Sequence, residues 1–160
     1  MIDDIQSIAT KRILIVRGGK YTHTCEGLNT LGVQQMQRTS EKIALAIGES
    51  MPLVLSSTAR RSTQSANILA KRLGVEYEAH SSLWNGDGRH KNLPAVLGLV
   101  RSSMGRCEVL ILVTHYSYTK LFPVYFVEKE LKSVIRSSVG LECGGFWDLT
   151  WDERPRLKLN

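Results

Sequence analysis

The stretch ILIVRGGKY, residues 13–21, decides the fold of this chain. Its first four residues are apolar and mostly β-branched, and they predict a short, fully buried strand over residues 11–17. A pair of glycines ends the strand, with Arg17 before the pair and Lys20 after it. Because the strand ends at basic residues and glycines, we expect a loop that binds an anion but has no nucleophilic side chain.

Strand and helix patterns alternate along the rest of the chain. Further strands are predicted at residues 52–57, 75–79 and 107–115, with two more over residues 146–160 on either side of a turn at 152–155. Helices are predicted at residues 31–47, 59–73, 92–104 and 117–127. We expect Thr30 and Thr58 to cap the first two helices. The alternation predicts an α/β fold with three layers, α/β/α, around a mostly parallel sheet.

Length and composition indicate one ordinary globular domain. The 160 residues fit a single domain spanning 1–160, and 42% of them are hydrophobic. No apolar run is long enough for a membrane span, and residues 1–12 lack the pattern of a signal peptide, so a cytoplasmic location is expected. The three cysteines are widely spaced, which suggests neither a disulfide framework nor a zinc site. No cofactor and no metal are expected.

The charge balance points to an anionic partner. The formal net charge is +6, which makes a phosphate ester or a nucleic acid the usual candidate. The basic residues are spread along the chain, and no basic run is interleaved with aromatic residues, so a nucleic-acid partner is not indicated. The sequence does not specify an oligomeric state.

Three predicted strands end in residues that suit a phosphoryl group. The first ends at Arg17, the second leads into a helix that carries Arg60 and Arg61, and the strand from residue 107 ends at His115. Ligands in open α/β sheets bind beyond the carboxyl ends of the strands, so these side chains are expected to converge. Arginine stays charged and grips oxyanions in a bidentate fork.

The same segments resemble the histidine phosphatase superfamily, the phosphoglycerate-mutase-like fold, over residues 11–159. The matching segments are ILIVRGGKY, LNTLGVQQMQ (28–37), VLSSTARRSTQSANILA (54–70), LILVTHYSYTKLF (110–122) and GGFWDLTW (144–151). They stand where the family has Arg-His-Gly, Leu-Thr-x-x-Gly, Ser-Ser-x-x-x-Arg-x-x-x-Thr-Ala, Thr-His and the terminal strand. The small branch that resembles the mitochondrial phosphoglycerate-mutase-like protein phosphatase is the most similar in these motifs.

The resemblance implies a role for five positions. Arg17 and Arg61 correspond to the family's two phosphate-binding arginines, and His115 corresponds to its second histidine, which supports the transferring phosphoryl group. The spacing to the preceding serines favours Arg61 over its neighbour Arg60. The family's nucleophilic histidine is replaced by Gly18, and Asn85 stands where its glutamate general acid is expected. The expected partner is therefore phosphate, or a phosphorylated small molecule or protein, at a site whose chemistry is impaired.

Other residues are candidates to replace the missing nucleophile and the missing general acid. His23 and Cys25 follow the glycine loop and are candidate substitute nucleophiles, although in-line transfer demands close placement. Asp87 is a candidate displaced acid, and residues 89–91 are either the rim of the site or a solvated loop. A change made to trap a substrate would account for Gly18 alone, but not for Asn85 as well.

These residues are compatible with three functions. A pseudophosphatase that binds a phosphorylated ligand is the preferred prediction. The first alternative is an active phosphomonoesterase or phosphoprotein phosphatase with a non-standard nucleophile. The second is a structural interaction module with a vestigial pocket.

Overall fold

The computed structural model describes residues 9–84, 86, 91–136, 139–152 and 154–160. The strands are β1 (Arg12–Arg17), β2 (Pro52–Ser56), β3 (Tyr77–Ala79), β4 (Val109–Thr114), β5 (Phe146–Trp151) and β6 (Pro155–Leu159). The α-helices are α1 (Thr30–Ile47), α2 (Arg60–Leu73), α3 (Leu93–Ser103) and α4 (Tyr116–Lys129), and a 3-10 turn spans Ser81–Leu83. Every predicted helix and strand is present, with ends shifted by a few residues.

All six strands form one sheet, in the order β3-β2-β4-β1-β5-β6. The pairs β1–β4, β2–β4 and β2–β3 are parallel, whereas β5 and β6 add an antiparallel edge next to β1. The predicted α/β fold with a mostly parallel sheet is therefore confirmed. Strand β1 lies inside the sheet, between β4 and β5, and helices pack on both faces of the sheet. Both faces of β1 are therefore buried, which explains why its sequence is continuously apolar.

Two hydrophobic cores, one on each face of the sheet, complete the three layers. Successive residues of β1 point to opposite faces, so Ile13 joins the core beneath α3 and α4, whereas Leu14 joins the core beneath α1 and α2. Phe122 and Phe126 of α4 fill the first core, and Met36 and other residues of α1 and α2 fill the second. Within the described residues, no helix combines the length and apolar character needed to cross a bilayer.

The predicted helix caps are wrong by one residue. Helix α1 is capped by Asn29, whose side-chain oxygen accepts from the backbone N–H of Gly32 at 2.8 Å, so Thr30 is already helical. Helix α2 is capped by Ala59, which has no side chain able to accept, and Thr58 lies one residue too early. The backbone N–H of Ala59 donates instead to Ser57 Oγ at 3.2 Å. The hydroxyl that fixes the start of α2 therefore comes from Ser57, the residue that follows β2.

The start of α1 packs directly against the loop that follows β1. A Cβ atom on Gly32 would overlap the carbonyl oxygen of Lys20, and one on Gly19 would lie too close to the carbonyl group of Gly32. The side-chain oxygen of Gln35 also accepts from the backbone N–H of Lys20 at 2.9 Å. Close backbone packing of this kind requires glycine, and it fixes the loop that carries Arg17 and its neighbours.

We expect Gly32→Ala to lower the free energy of unfolding by about 1–3 kcal/mol or more, because the added methyl group must push the Lys20 backbone aside. Gly98→Ala is the matched control. Gly98 lies exposed inside α3, and a Cβ there meets nothing within 4 Å, so this change should raise the free energy by about 0.5–1 kcal/mol. Urea unfolding of both variants measures the difference. Equal midpoints for the two variants would contradict this packing.

Candidate functional site

The parallel strands bring the predicted site residues to one edge of the sheet. Arg17, the last residue of β1, pairs in register with Thr114, the last residue of β4. His115 follows immediately, and Ser57 follows the end of β2, where its backbone N–H donates to the oxygen of Val113 at 3.0 Å. The carboxyl ends of β1, β2 and β4 therefore meet at the same edge, as expected for a ligand site in an α/β sheet.

A cavity of about 290 Å³ opens at this edge. Arg17, Arg61 and His115 all line it, and Gly18 lines it between them. The structure thus brings together four of the five residues that the sequence analysis singled out. The fifth, Asn85, lies outside the described residues, as do Asp87, Arg89 and His90.

His115 links the two sides of the cavity. Its Nε2 atom lies 2.7 Å from Ser57 Oγ, and its Nδ1 atom lies 3.3 Å from Nη2 of Arg61. A guanidinium only donates hydrogen bonds, so Nδ1 accepts, and we assign the ring proton to Nε2, which donates to the Ser57 hydroxyl. The contact with His115 therefore orients the guanidinium of Arg61.

Arg61 comes from the first turn of α2 and is 9% exposed. Its guanidinium carbon lies 4.3 Å from the centre of the Tyr21 ring, a cation–π contact that fixes the plane of the group. Arg60, its neighbour on the helix, is exposed and donates instead to the backbone oxygen of Cys25 at 3.4 Å. Of these two arginines, only Arg61 lines the cavity.

Arg17 is held by the loop that precedes β5. Its Nη1 atom donates to the oxygen of Leu141 at 2.6 Å, and its guanidinium carbon lies 5.1 Å from the centre of the Tyr116 ring. Its backbone N–H donates to the oxygen of Gly145, and its oxygen accepts from the N–H of Gly144, both at 3.0 Å. The two arginines are thus each stacked on a tyrosine and held on opposite elements of the cavity wall.

Gly18 is not required by the local backbone. Its φ lies outside the left-handed region, so an ordinary side chain is compatible with the backbone conformation. Its N–H donates to the oxygen of Thr114 at 3.3 Å. A Cβ atom at this position would lie 3.1 Å from Ser65 Oγ, so a larger residue requires a shift of that hydroxyl by a few tenths of an ångström. The backbone conformation at position 18 therefore does not require glycine, and it does not explain why this part of the cavity wall has no nucleophilic side chain.

The two candidate substitute nucleophiles are not at the cavity. His23 and Cys25 are exposed in the loop after β1, and neither lines the cavity. The pKa of the Cys25 thiol is lowered, chiefly by a hydrogen bond with the Thr22 hydroxyl, whose oxygen lies 2.9 Å from the sulfur. Lys91, from the predicted rim, is exposed and does not line the cavity either.

Ser62 is a cavity residue that sequence reasoning missed. It is 1% exposed, and its hydroxyl oxygen has no hydrogen-bond partner within the described part of the chain. A buried hydroxyl without a partner costs about 1–3 kcal/mol. Tyr21, Tyr116 and Cys143 also line the cavity without having been predicted. Tyr21 ends the stretch ILIVRGGKY, and Ser62 and Tyr116 directly follow Arg61 and His115, so the positions of these three residues carried a signal.

Solved structures with a similar fold cover nearly the whole chain. A protein from Agrobacterium tumefaciens assigned as the phosphohistidine phosphatase SixA is 21% identical, with a TM-score of 0.65 over 92% of this chain and 95% of that one. A mycobacterial glucosyl-3-phosphoglycerate phosphatase in complex with VO3 is 15% identical, with a TM-score of 0.66 over 94% of this chain and 98% of that one. The chain has the histidine phosphatase fold.

A third structure of the histidine phosphatase fold, the protein histidine phosphatase SixA in complex with tungstate, is 14% identical, with a TM-score of 0.63 over 93% of this chain and 94% of that one. No protein-family model and no curated protein matches the chain. The fold predicted from the sequence motifs is confirmed by the structural neighbours. Among the described residues, no group of three or more His, Cys, Asp or Glu side chains is placed to hold a metal ion.

Proposed function

We propose that the chain is a pseudophosphatase, which binds phosphate or a phosphorylated ligand at Arg17, Arg61 and His115 without turning it over. The observation that carries the proposal is the composition of one cavity wall. Two arginines from different elements and a histidine line the same cavity as Gly18. The sequence resemblance assigns Gly18 to the position of the family's nucleophilic histidine. The side chains that would bind phosphate are therefore present, whereas position 18 has no nucleophilic side chain.

The two arginines supply the attraction for a dianion. Each can donate two parallel N–H bonds to phosphate oxygens, and a charge-assisted hydrogen bond contributes about 1.5–3 kcal/mol. Their stacking on Tyr21 and Tyr116 restricts the planes of the guanidinium groups before the ligand arrives, which reduces the entropy lost on binding.

The chemistry of the family needs a nucleophile and a general acid, which the residues at positions 18 and 85 do not supply. The phosphoryl group would have to move onto an imidazole nitrogen and then be attacked by water. Glycine offers no such nitrogen at position 18, and the amide of Asn85 does not titrate in the useful range and gives no proton to a leaving alkoxide. Loss of a general acid alone costs about 10²–10⁴ in rate. Losing the nucleophile as well leaves only electrostatic positioning.

The oxyanion complexes of two structural neighbours support a ligand of this class. One of those proteins is seen with VO3 and the other with tungstate, both of which are oxygen-rich anions. The net charge of +6 on this chain is consistent with such a ligand.

The proposal is tested by two measurements on the full chain. We expect calorimetric titration to show inorganic phosphate binding with a Kd at or below about 1 mM, and an assay with p-nitrophenyl phosphate to show no hydrolysis above buffer. Hydrolysis that disappears in Arg61→Ala would support an active phosphatase with another nucleophile. The absence of phosphate binding would support an interaction module with a vestigial pocket.

A further inference from the structure

Ser57 places a buried hydroxyl behind the wall of the candidate anion cavity. It directly follows β2, and its backbone N–H donates to the oxygen of Val113 at 3.0 Å, which fixes it beside the end of β4. Its side chain is fully buried, and it does not line the cavity. The parallel pairing of β2 with β4 therefore brings this hydroxyl next to His115, which follows β4.

The hydroxyl of Ser57 has two contacts, and both lead to Arg61. On one side, Ser57 Oγ lies 2.7 Å from Nε2 of His115, and Nδ1 of the same imidazole lies 3.3 Å from Nη2 of Arg61. On the other side, the backbone N–H of Ala59 donates to Ser57 Oγ at 3.2 Å. Ala59 is the N-cap of α2, and Arg61 lies in the first turn of that helix. One hydroxyl thus contacts both the start of the helix that carries Arg61 and the imidazole that contacts its guanidinium.

The orientation of the His115 imidazole decides whether it can hold Arg61. A histidine side chain can turn about its Cβ–Cγ bond between two broad, roughly opposite positions, and only one of these directs Nδ1 towards a given neighbour. A partner on Nε2 favours one of the two positions. His115 is 8% exposed, so water is a poor substitute for that partner.

We propose that Ser57 is a positioning residue for the anion site. Ser57 holds the imidazole of His115 with Nδ1 towards Arg61, and it thereby keeps the Arg61 guanidinium in the cavity wall before a ligand arrives. The inference rests on the proposed function, since Arg61 is one of the groups that would bind phosphate. The effect of Ser57 on a ligand is indirect, because its hydroxyl acts through His115.

The first test compares two neighbouring serines. We expect Ser57→Ala to raise the Kd for inorganic phosphate about three- to tenfold, because a long side chain that is no longer held must be ordered when the ligand binds. Ser56→Ala is the matched control. Ser56 is also fully buried, and its hydroxyl donates to the backbone oxygen of Ser57 at 2.8 Å. Its removal should change the Kd by less than about twofold.

A second pair of variants separates the contact with His115 from the contact with the start of α2. In the His115→Ala protein, Ser57→Ala should change the Kd by less than about twofold, because the imidazole through which Ser57 acts is already gone. A hydroxyl that acted only through Ala59 would cause the same loss with and without His115. Calorimetric titration measures the affinities, and circular dichroism shows whether each variant is folded.

NMR of the histidine side-chain nitrogens tests the positioning without a ligand and without a change at Ser57. In the unmodified chain we expect the His115 proton on Nε2, in slow exchange with water because the proton is buried and bonded to Ser57. The spectrum of His115→Ala identifies this signal among the four histidines. A proton on Nδ1 alone would overturn the inference, since Nδ1 could not then accept from Arg61.

Two affinity results would also overturn the inference. One is an equal loss of phosphate affinity in Ser57→Ala and Ser56→Ala, and the other is a loss in Ser57→Ala that persists undiminished in the His115→Ala protein. Failure of the proposed function is distinguishable, because it appears in the unmodified chain, as protein that gives the expected His115 signal but does not bind phosphate. That result would remove the anion, and with it the role of Ser57.

Discussion

Gly18→His is expected to give the protein a phosphatase activity at least about 10²-fold above that of the chain with glycine. The substitution puts an imidazole beside Arg17, on a strand end that lines the anion cavity. The φ of Gly18 accepts an L-residue, so the backbone does not oppose the change. Adding Asn85→Glu should raise the rate by a further factor of about 10²–10⁴, the usual contribution of a general acid. Hydrolysis of p-nitrophenyl phosphate measures both effects.

Gly18→Ala is the control for packing. Its Cβ atom meets Ser65 Oγ at 3.1 Å, as the histidine would, but it brings no nucleophile. Ser65 Oγ donates to the oxygen of Arg61 at 2.7 Å and accepts from Gly19 N at 3.1 Å, so pushing it aside has some cost in stability. Gly18→Ala should lose that stability and stay inactive. A folded Gly18→His protein that binds phosphate but is no more active than Gly18→Ala would refute the nucleophile assignment.

The sequence was sufficient to predict the fold because its central strands, β1 and β4, are almost continuously apolar and its strands alternate with helices. In a parallel sheet the carboxyl ends of neighbouring strands lie at one edge, so the ends at Arg17 and His115 could be placed side by side without coordinates. Arg61 was chosen over Arg60 because its spacing from the preceding serines resembles the family's motif. The strand ends were placed from local periodicity and the direction of the strands alone.

The rest of the cavity wall depends on a segment without such periodicity. The chain between α4 and β5 has neither helical nor alternating apolar spacing, so nothing in the sequence placed Cys143 near the site. Its position is fixed by backbone hydrogen bonds between Arg17 and the glycines before β5, which no side-chain pattern encodes. The unpartnered hydroxyl of Ser62 likewise becomes visible only when its surroundings are known. The role of Asn85 stays a prediction, since it lies outside the described residues.

Arg61→Ala is expected to raise the Kd for phosphate by at least about thirtyfold, which corresponds to roughly 2 kcal/mol. The reason is the loss of a bidentate cation that His115 and Tyr21 hold in place. Arg61→Lys should give an intermediate loss, because lysine keeps the charge but not the fork. Calorimetric titration measures the affinities, and circular dichroism shows whether each variant is folded.

Arg60→Ala is the matched control, since it removes the same charge one residue away. Consecutive residues on a helix point about 100° apart, so Arg60 faces the loop that carries Cys25 while Arg61 faces the cavity. Arg60→Ala should change the Kd by less than about twofold. Equal losses in the two variants would mean that phosphate responds to the general positive field of the protein, whose effect fades at high salt. A loss confined to Arg61 would mean that binding depends on the geometry of this one cavity.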